Sequence, residues 1–366
     1  MNISIRQKEI ITGSVVLFLS FGSLFLAEAT IRIKQMNVFG TVADVERSSN
    51  YFIDKERDLR IPVPGSKHGT LQFNEFGFRS PEIALVKPPN VVRIAFLGHS
   101  TTLDPYVLSL ERTWPHIVSK IIDESLPGPK VEYINAGVPG MGSKKVHVYY
   151  EHYVKKLSPD IVVISVNDQN RDLDDQVRAT GLFSDIHYQP SWLARHSHFW
   201  AKVEKNAVVL QRQRAAFQET GRLQVDTAAL TKNFHERISD LIGAIYASSA
   251  QPVLLNYDNM LRPNQERDEQ RRAAQTLLYF MPYMSIPRIL AVQSAYNDTL
   301  EKVARETGTP IMDWRNSVPG NSEHFTDSVH FTAKGSRLMA NHLAKLMLQN
   351  PLIRRRIVEV TRQKVN

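Results

Sequence analysis

Five short apolar runs, alternating with segments of helical spacing, constrain the fold of this chain more than any other feature. The runs are Val91 to Leu97, Val131 to Ile134, Ile161 to Val166, Pro252 to Asn256 and Pro310 to Trp314. Their predominantly apolar character, interrupted only by Arg93, Glu132 and Asp313 among the charged residues, suits strands covered on both faces, because a strand with one wet face would alternate. Trp114 to Ser125, Lys144 to Leu157, Thr227 to Ser248, Ile289 to Glu306 and Ala333 to Gln349 carry apolar residues three to four apart, the period of an amphipathic helix. Strands and helices in this order imply βαβ units. They predict a three-layer α/β domain with a parallel sheet of about five strands between two helical layers.

Ahead of that domain, Ile10 to Leu26 is an uncharged apolar stretch preceded by Arg6 and Lys8. At about 1.5 Å per residue it nearly crosses a hydrocarbon core of roughly 30 Å, which predicts one transmembrane helix. Ala27, Glu28 and Ala29 offer a small-x-small cleavage site for the rival reading, a signal peptide. The stretch exceeds the about 7 to 15 residues of a signal core, which favours an uncleaved anchor over residues 1–34. Arg6 and Lys8 before it and Arg32 and Lys34 after it nearly balance, so the positive-inside rule decides little. The N-terminal amine adds a charge that favours N-terminus inside, with the catalytic domain on the periplasmic or extracellular side.

Residues 35–90 form an expected connecting segment, with one patterned island from Thr70 to Ser80. The domain is expected over 91–350. It carries a surface insertion with a helix at 180–226 and a second insertion at 258–288. The latter contains Tyr279, Phe280, Met281, Pro282, Tyr283 and Met284, either an apolar wall beside a site or ordinary packing on the sheet. Residues 351–366, with Arg354, Arg355 and Arg356, form a basic C-terminal tail, expected as a solvated helix end.

With 366 residues and 42% hydrophobic content the chain can bury a full core. The net charge of +8 is scattered and accompanies no nucleic-acid-reading motif, so no nucleic-acid partner is expected. Cysteine is absent and the twelve histidines are dispersed, which removes thiolate chemistry and leaves no ligand spacing for a metal. No cofactor is expected.

Catalytic groups of open α/β sheets gather beyond the carboxyl ends of the strands. Four segments fall there. Ser100 follows the first strand, Gly137 to Gly142 the second, Asn167 and Asp168 the third, and Asp327 and His330 precede the last helix. A serine, a histidine and an aspartate are what a serine hydrolase needs: a nucleophile, a base and a group that orients the base. Taken singly, Ser100 reads first as a helix N-cap, and Asn167 and Asp168 could cap the helix after their strand.

Together these segments resemble the SGNH hydrolase family, also called GDSL esterases and lipases. Gly98-His99-Ser100 corresponds to its GDS block, Asn135 to Gly140 to its glycine block, Ser165-Val166-Asn167-Asp168 to GxND, and Asp327-Ser328-Val329-His330 to DxxH. The order agrees, and the resemblance covers roughly Val91 to Gln349. The island Asn74 to Arg79 is similar to a segment that precedes the domain in membrane-anchored bacterial members. The resemblance implies a flavodoxin-like fold, with Ser100 as nucleophile, His330 as general base and Asp327 as its orienting partner. It implies an oxyanion hole from the backbone N–H groups of Ser100 and Gly140 and the side chain of Asn167.

Two positions depart from the family pattern. His99 stands where the family has Asp, which makes it a possible modulator of His330 or of substrate binding, and Ser165 replaces the glycine of GxND. The leading expectation is a membrane-anchored serine esterase acting on O-acetylated envelope carbohydrate by deacetylation or acetyl transfer, with lipid or thioester cleavage next. The alternative class is a catalytically impaired relative that binds a glycan or a partner protein in the same crevice.

Overall fold

The computed structural model describes residues 4–39, 51–126, 130–168, 172, 188–218 and 225–362. The chain begins with helix α1 (Ile5–Phe39) and two small antiparallel hairpins, β1 (Tyr51–Asp54) with β2 (Leu59–Pro62) and β3 (Lys67–His68) with β4 (Leu71–Gln72). The alternating part follows as β5 (Val91–Gly98), α2 (Ser100–Leu103), α3 (Trp114–Ser125), β6 (Lys130–Gly137), α4 (Ser143–Tyr149) and β7 (Ile161–Ser165). After β7 come α5 (Trp192–His196), α6 (His198–Arg214), α7 (Thr227–Ala247), β8 (Gln251–Leu255), α8 (Arg267–Ala273) and α9 (Gln275–Phe280). The domain closes with α10 (Ile286–Thr307), β9 (Ile311–Met312), α11 (Ala333–Gln349) and α12 (Pro351–Arg362).

The five strands form one parallel sheet in the order β6-β5-β7-β8-β9. Side chains alternate across a strand, so parity assigns each residue to one of two cores. Val92, Ile94 and Phe96 of β5 and Ile161 and Val163 of β7 join Trp114, Val118 and Ile122 of α3 and Met339, Leu343 and Met347 of α11. Ala95 and Leu97 of β5 and Val162 and Ile164 of β7 enter the opposite core with α7 and α10. The expected three-layer α/β architecture is present, and each of the five strands of this sheet overlaps its predicted run, β6 extending beyond it at both ends.

The differences have local causes. β9 is only two residues long; beyond it Trp314 turns inward and its indole N–H donates to the Asn256 carbonyl at 2.5 Å. The helix expected over 144–157 is α-helical only through Tyr149, then widens into a π turn at Tyr150–Val154 and tightens over Lys155–Leu157. That insertion in the helical register lets the adjacent Tyr149 and Tyr150 both be buried. The basic tail is largely α12, whose Ile353, Ile357 and Val360 recur at helical spacing and join the core of α3 and α11. Its Arg356 pairs with the buried Asp160 at 3.5 Å. This segment is therefore packed rather than a solvated end, because one face of it is apolar.

The segment expected as connecting structure is also packed from residue 51 onward, with Leu59, Ile61 and Phe78 in the main core. Its island is a compact turn. The Asn74 side-chain oxygen accepts the N–H groups of Phe76 and Phe78 at 3.1 and 2.9 Å, the short-range bonding that makes Asn a turn former. Arg79 N–H then donates to the Asn135 carbonyl at 3.3 Å, and Asn135 N–H to Ser80 Oγ at 2.7 Å, so the island lines the free edge of β6.

Candidate active site

Strand β5 has the edge strand β6 on one side and β7 on the other, with Gly98 opposite both Gly137 and Ser165. Parallel neighbours stand about 4.8 Å apart, so the loops after these three strands emerge side by side. The turn out of β5 requires glycine at 98. A Cβ there would lie 2.1 Å from Thr102 Oγ1 and 2.4 Å from the Ser165 carbonyl oxygen. Without it, α2 folds back tightly over the strand end and presents Ser100 as its first residue.

His330 arrives from the opposite side. It lies on a tight loop closed by pairing of Phe325 with Phe331 and by Thr326 N–H donating to the His330 carbonyl at 2.8 Å. Phe331 is buried between Trp314 and Phe325, so packing fixes the loop before Thr332 caps α11. His330 Nε2 stands 2.8 Å from Ser100 Oγ, and its Nδ1 stands 2.8 Å from Asp327 Oδ2. The other Asp327 oxygen accepts the N–H groups of Val329 and His330 at 2.8 and 2.9 Å. A carboxylate can only accept, so Nδ1 carries the proton and Nε2 is the acceptor facing the serine hydroxyl. Burial works to raise the Asp327 pKa, but the hydrogen bond and charge of His330 and the two backbone donors outweigh it and hold the carboxyl below its ordinary value. Ser100, His330 and Asp327 are thus joined in one chain of hydrogen bonds.

The expected oxyanion donors lie on the flanking loops. Gly140 has φ of +68°, a conformation that glycine adopts without a Cβ penalty, and is exposed at the tip of the loop after β6. Asn167 is half-buried, two residues beyond β7. Asp168 ties their loops together. Its carboxylate accepts the Ser143 N–H at 2.7 Å and the Ser143 hydroxyl, and Arg237 of α7 lies 3.2 Å away. Ser143 opens α4 directly after the glycine loop, so this buried aspartate fixes the Gly140 loop against the Asn167 loop. His99 turns the same way, with Nε2 3.9 Å from Asp168 Oδ1. His99, one of the two residues that depart from the family pattern, therefore faces the Asn167 loop.

Sequence reasoning missed three supports. Arg79, 2% exposed, reaches beneath the turn that follows α2 and donates to the carbonyls of Leu103, Asp104 and Val107 at 2.9, 2.5 and 2.5 Å. That turn holds Asp104 at φ of +59° and carries Tyr106, whose ring meets the His330 imidazole edge-on at 5.1 Å. Asp104 accepts the Ser336 hydroxyl at 2.6 Å and the Trp114 N–H at 3.2 Å. Burial, partly offset by Ser336 and by the Arg79 charge, pushes its carboxyl up to about 6. Ser328, inside the Asp327 to His330 loop, accepts the Thr276 N–H on its hydroxyl and the Met260 N–H on its carbonyl. The 258–288 segment therefore braces the base. Of its aromatic and methionine run, Met281, Tyr283 and Met284 are buried in the core, whereas Phe280 is 41% exposed, which is mainly ordinary packing rather than a wall. The only available signal for Arg79 was its place at the end of the island.

Thr101, Trp114, Ser165, Asn256, Trp314 and Phe331 help line a small cavity whose lining includes neither Ser100 nor His330. Among the described residues no three His, Asp or Glu side chains gather as a metal site.

Comparison with known proteins follows the same outline. The GDSL-like lipase/acylhydrolase family model matches residues 96–338. No curated protein matches the chain. Among solved structures, an acetylxylan esterase from Geobacillus stearothermophilus, in a catalytic mutant form, is similar at 12% identity, over 70% of this chain and 93% of that one, with a TM-score of 0.42. The psychrotrophic esterase EstA from a Pseudoalteromonas species is 16% identical over 70% of this chain and 99% of its own, with a TM-score of 0.41. A GDSL-like lipase from Bacteroides thetaiotaomicron is also 16% identical, over 69% and 85%, with a TM-score of 0.38.

Proposed function

The chain belongs to the GDSL-like lipase/acylhydrolase family and is an ester-hydrolysing enzyme, and on that premise we propose that it works through an acyl-Ser100 intermediate. The observation that carries this reading is the unbroken relay from Asp327 through His330 to Ser100, with both links at 2.8 Å. Ser100 Oγ attacks the acyl carbonyl as His330 Nε2 takes its proton, and Asp327 stabilises the imidazolium that forms. The tetrahedral oxyanion meets the N–H groups of Ser100 and Gly140 and the Asn167 amide. Each such donor is worth about 3 to 4 kcal/mol of barrier where one has been removed elsewhere. His330 returns its proton to the departing alkoxide, and water, deprotonated by the same imidazole, then releases the acid.

The substrate in this reading is an O-acetylated envelope carbohydrate. One feature supports it: α1 has the length and apolarity to cross a membrane, which would bring the domain to the envelope. The anchor would hold the domain at the periplasmic or extracellular face, where such polymers lie. Acetate release from acetylated oligosaccharides, compared with cleavage of long-chain esters and thioesters, tests the assignment. Acetate release by the wild type and none by Ser100→Ala is expected. Preference for long acyl chains or thioesters would reject the substrate class, and acetyl transfer to an added sugar would replace hydrolysis by transfer.

A further inference from the structure

We propose that α5 of the insertion lies in the headgroup layer of the bilayer that α1 enters, with Trp192 and Leu193 dipping into the lipid and holding the catalytic domain against the membrane. The inference rests on α1 being a membrane span.

The placement follows from Glu28. This residue is two positions past Leu26, where the apolar stretch of α1 ends, so it stands about 3 Å beyond the hydrocarbon. Its carboxylate accepts the Ser197 hydroxyl at 2.9 Å and the N–H groups of His198 and Phe199 at 3.1 and 2.8 Å. The start of α6 is thereby pinned at the level of the membrane surface. Beyond Glu28, the half-buried residues of α1 are Ala29, Ile31, Arg32 and Gln35, and α6 packs against α1. α1 has 35 residues, or about 50 Å, against a hydrocarbon core of roughly 30 Å, so this portion stands clear of the lipid.

α5 ends one residue before the pinned Ser197 and is therefore held at the boundary. Its Trp192 and Leu193 are 65% and 48% exposed, although Ala194 between them and Arg195 is buried. Trp is the side chain that prefers the headgroup layer, because its ring is apolar and its N–H needs a wet partner. The charges around it match an anionic lipid surface. Arg195 and Lys202 are exposed, and cations near such a surface add attraction. Continuity with α1 and this charge complementarity select lipid over a second copy of the chain as the occupant.

The test uses the full-length protein in vesicles of phosphatidylethanolamine and phosphatidylglycerol, with bromine quenchers placed near the headgroup or near the chain ends. The emission lost in Trp192→Phe isolates Trp192 from Trp114, Trp200 and Trp314. Shallow bromines should quench that emission more strongly than deep ones. A Phe18→Trp reporter, added to Trp192→Phe, should be quenched most by deep bromines. If the reporter is quenched and Trp192 is not, the docking is wrong while the span stands, and a second copy or solvent covers α5. If the reporter is not quenched either, the span fails and the docking falls with it.

Discussion

Replacing Arg79 by Lys tests whether a residue outside the four family blocks sets the geometry of the nucleophile turn. Arg79 Nη1 serves the carbonyls of Leu103 and Asp104, and Nη2 serves that of Val107. All three residues are buried, so a carbonyl that loses its donor costs about 1 to 3 kcal/mol. A Met at this position would leave the Leu103 and Val107 carbonyls without the Arg79 donors, while the Asp104 carbonyl keeps the Val107 N–H at 3.1 Å, a loss of about 2 to 6 kcal/mol that rivals the whole stability of many domains. Lys keeps the charge beside Asp104 but lacks the planar fork. It should leave the Val107 carbonyl bare and lower the unfolding free energy by about 2 kcal/mol. Urea denaturation followed by circular dichroism reads that loss. The turn also carries Tyr106 against His330, so a small shift there should lower kcat for a short-chain ester by about tenfold with KM little changed. Stability within about 0.5 kcal/mol of wild type together with unchanged kcat would refute the reasoning, because it would mean that the three contacts do not hold the turn.

Asp327→Asn should keep the fold, since its oxygen can still accept from Val329 and His330. Its amide would donate to His330 Nδ1 and reverse the tautomer, lowering kcat by about 10⁴-fold, as the same change does in a known triad; a loss under tenfold would contradict the proton assignment. Asp104→Asn addresses pH. The folded pKa of about 6 lies above the ordinary carboxylate value, so the stability Asp104 contributes is complete below about pH 4 and is lost as pH rises through about 6. Melting temperatures should fall less across that window in Asp104→Asn than in wild type. Part of the slope will remain, because burial also raises Asp258 to about 6. His99→Asp restores the family residue but would set a second carboxylate near Asp168, a repulsion of order 1 to 4 kcal/mol at about 4 Å. Reduced kcat is expected, and a gain would show that His99 detunes the site.

The sheet was legible because a buried strand leaves a short, mostly apolar signature, and the apolar residues from Val92 to Leu97 follow the two-core parity, with Arg93 alone in neither core. Ser100, Asp327 and His330 stood out because chemistry demands those residue types at strand and helix ends. Arg79 did not, since a buried arginine serving backbone carbonyls looks in sequence like any surface charge; only the fold brings it beneath residues 103–107. Asp168 was expected to be structural, but its partner Ser143 carried no sequence signal. The basic residues of α12 concealed its apolar face, because charge dominates a short amphipathic segment when its period is not followed.

The central claim is an activated serine, and fluorophosphonate labelling followed by intact mass measures it most directly. Ser100 Oγ would form a bond to phosphorus as fluoride leaves, with His330 taking the hydroxyl proton. A single adduct on the folded wild-type protein, absent from Ser100→Ala and nearly absent from His330→Ala, is the predicted result. A folded wild-type protein that takes up no adduct, or one whose adduct persists in Ser100→Ala, would contradict the account.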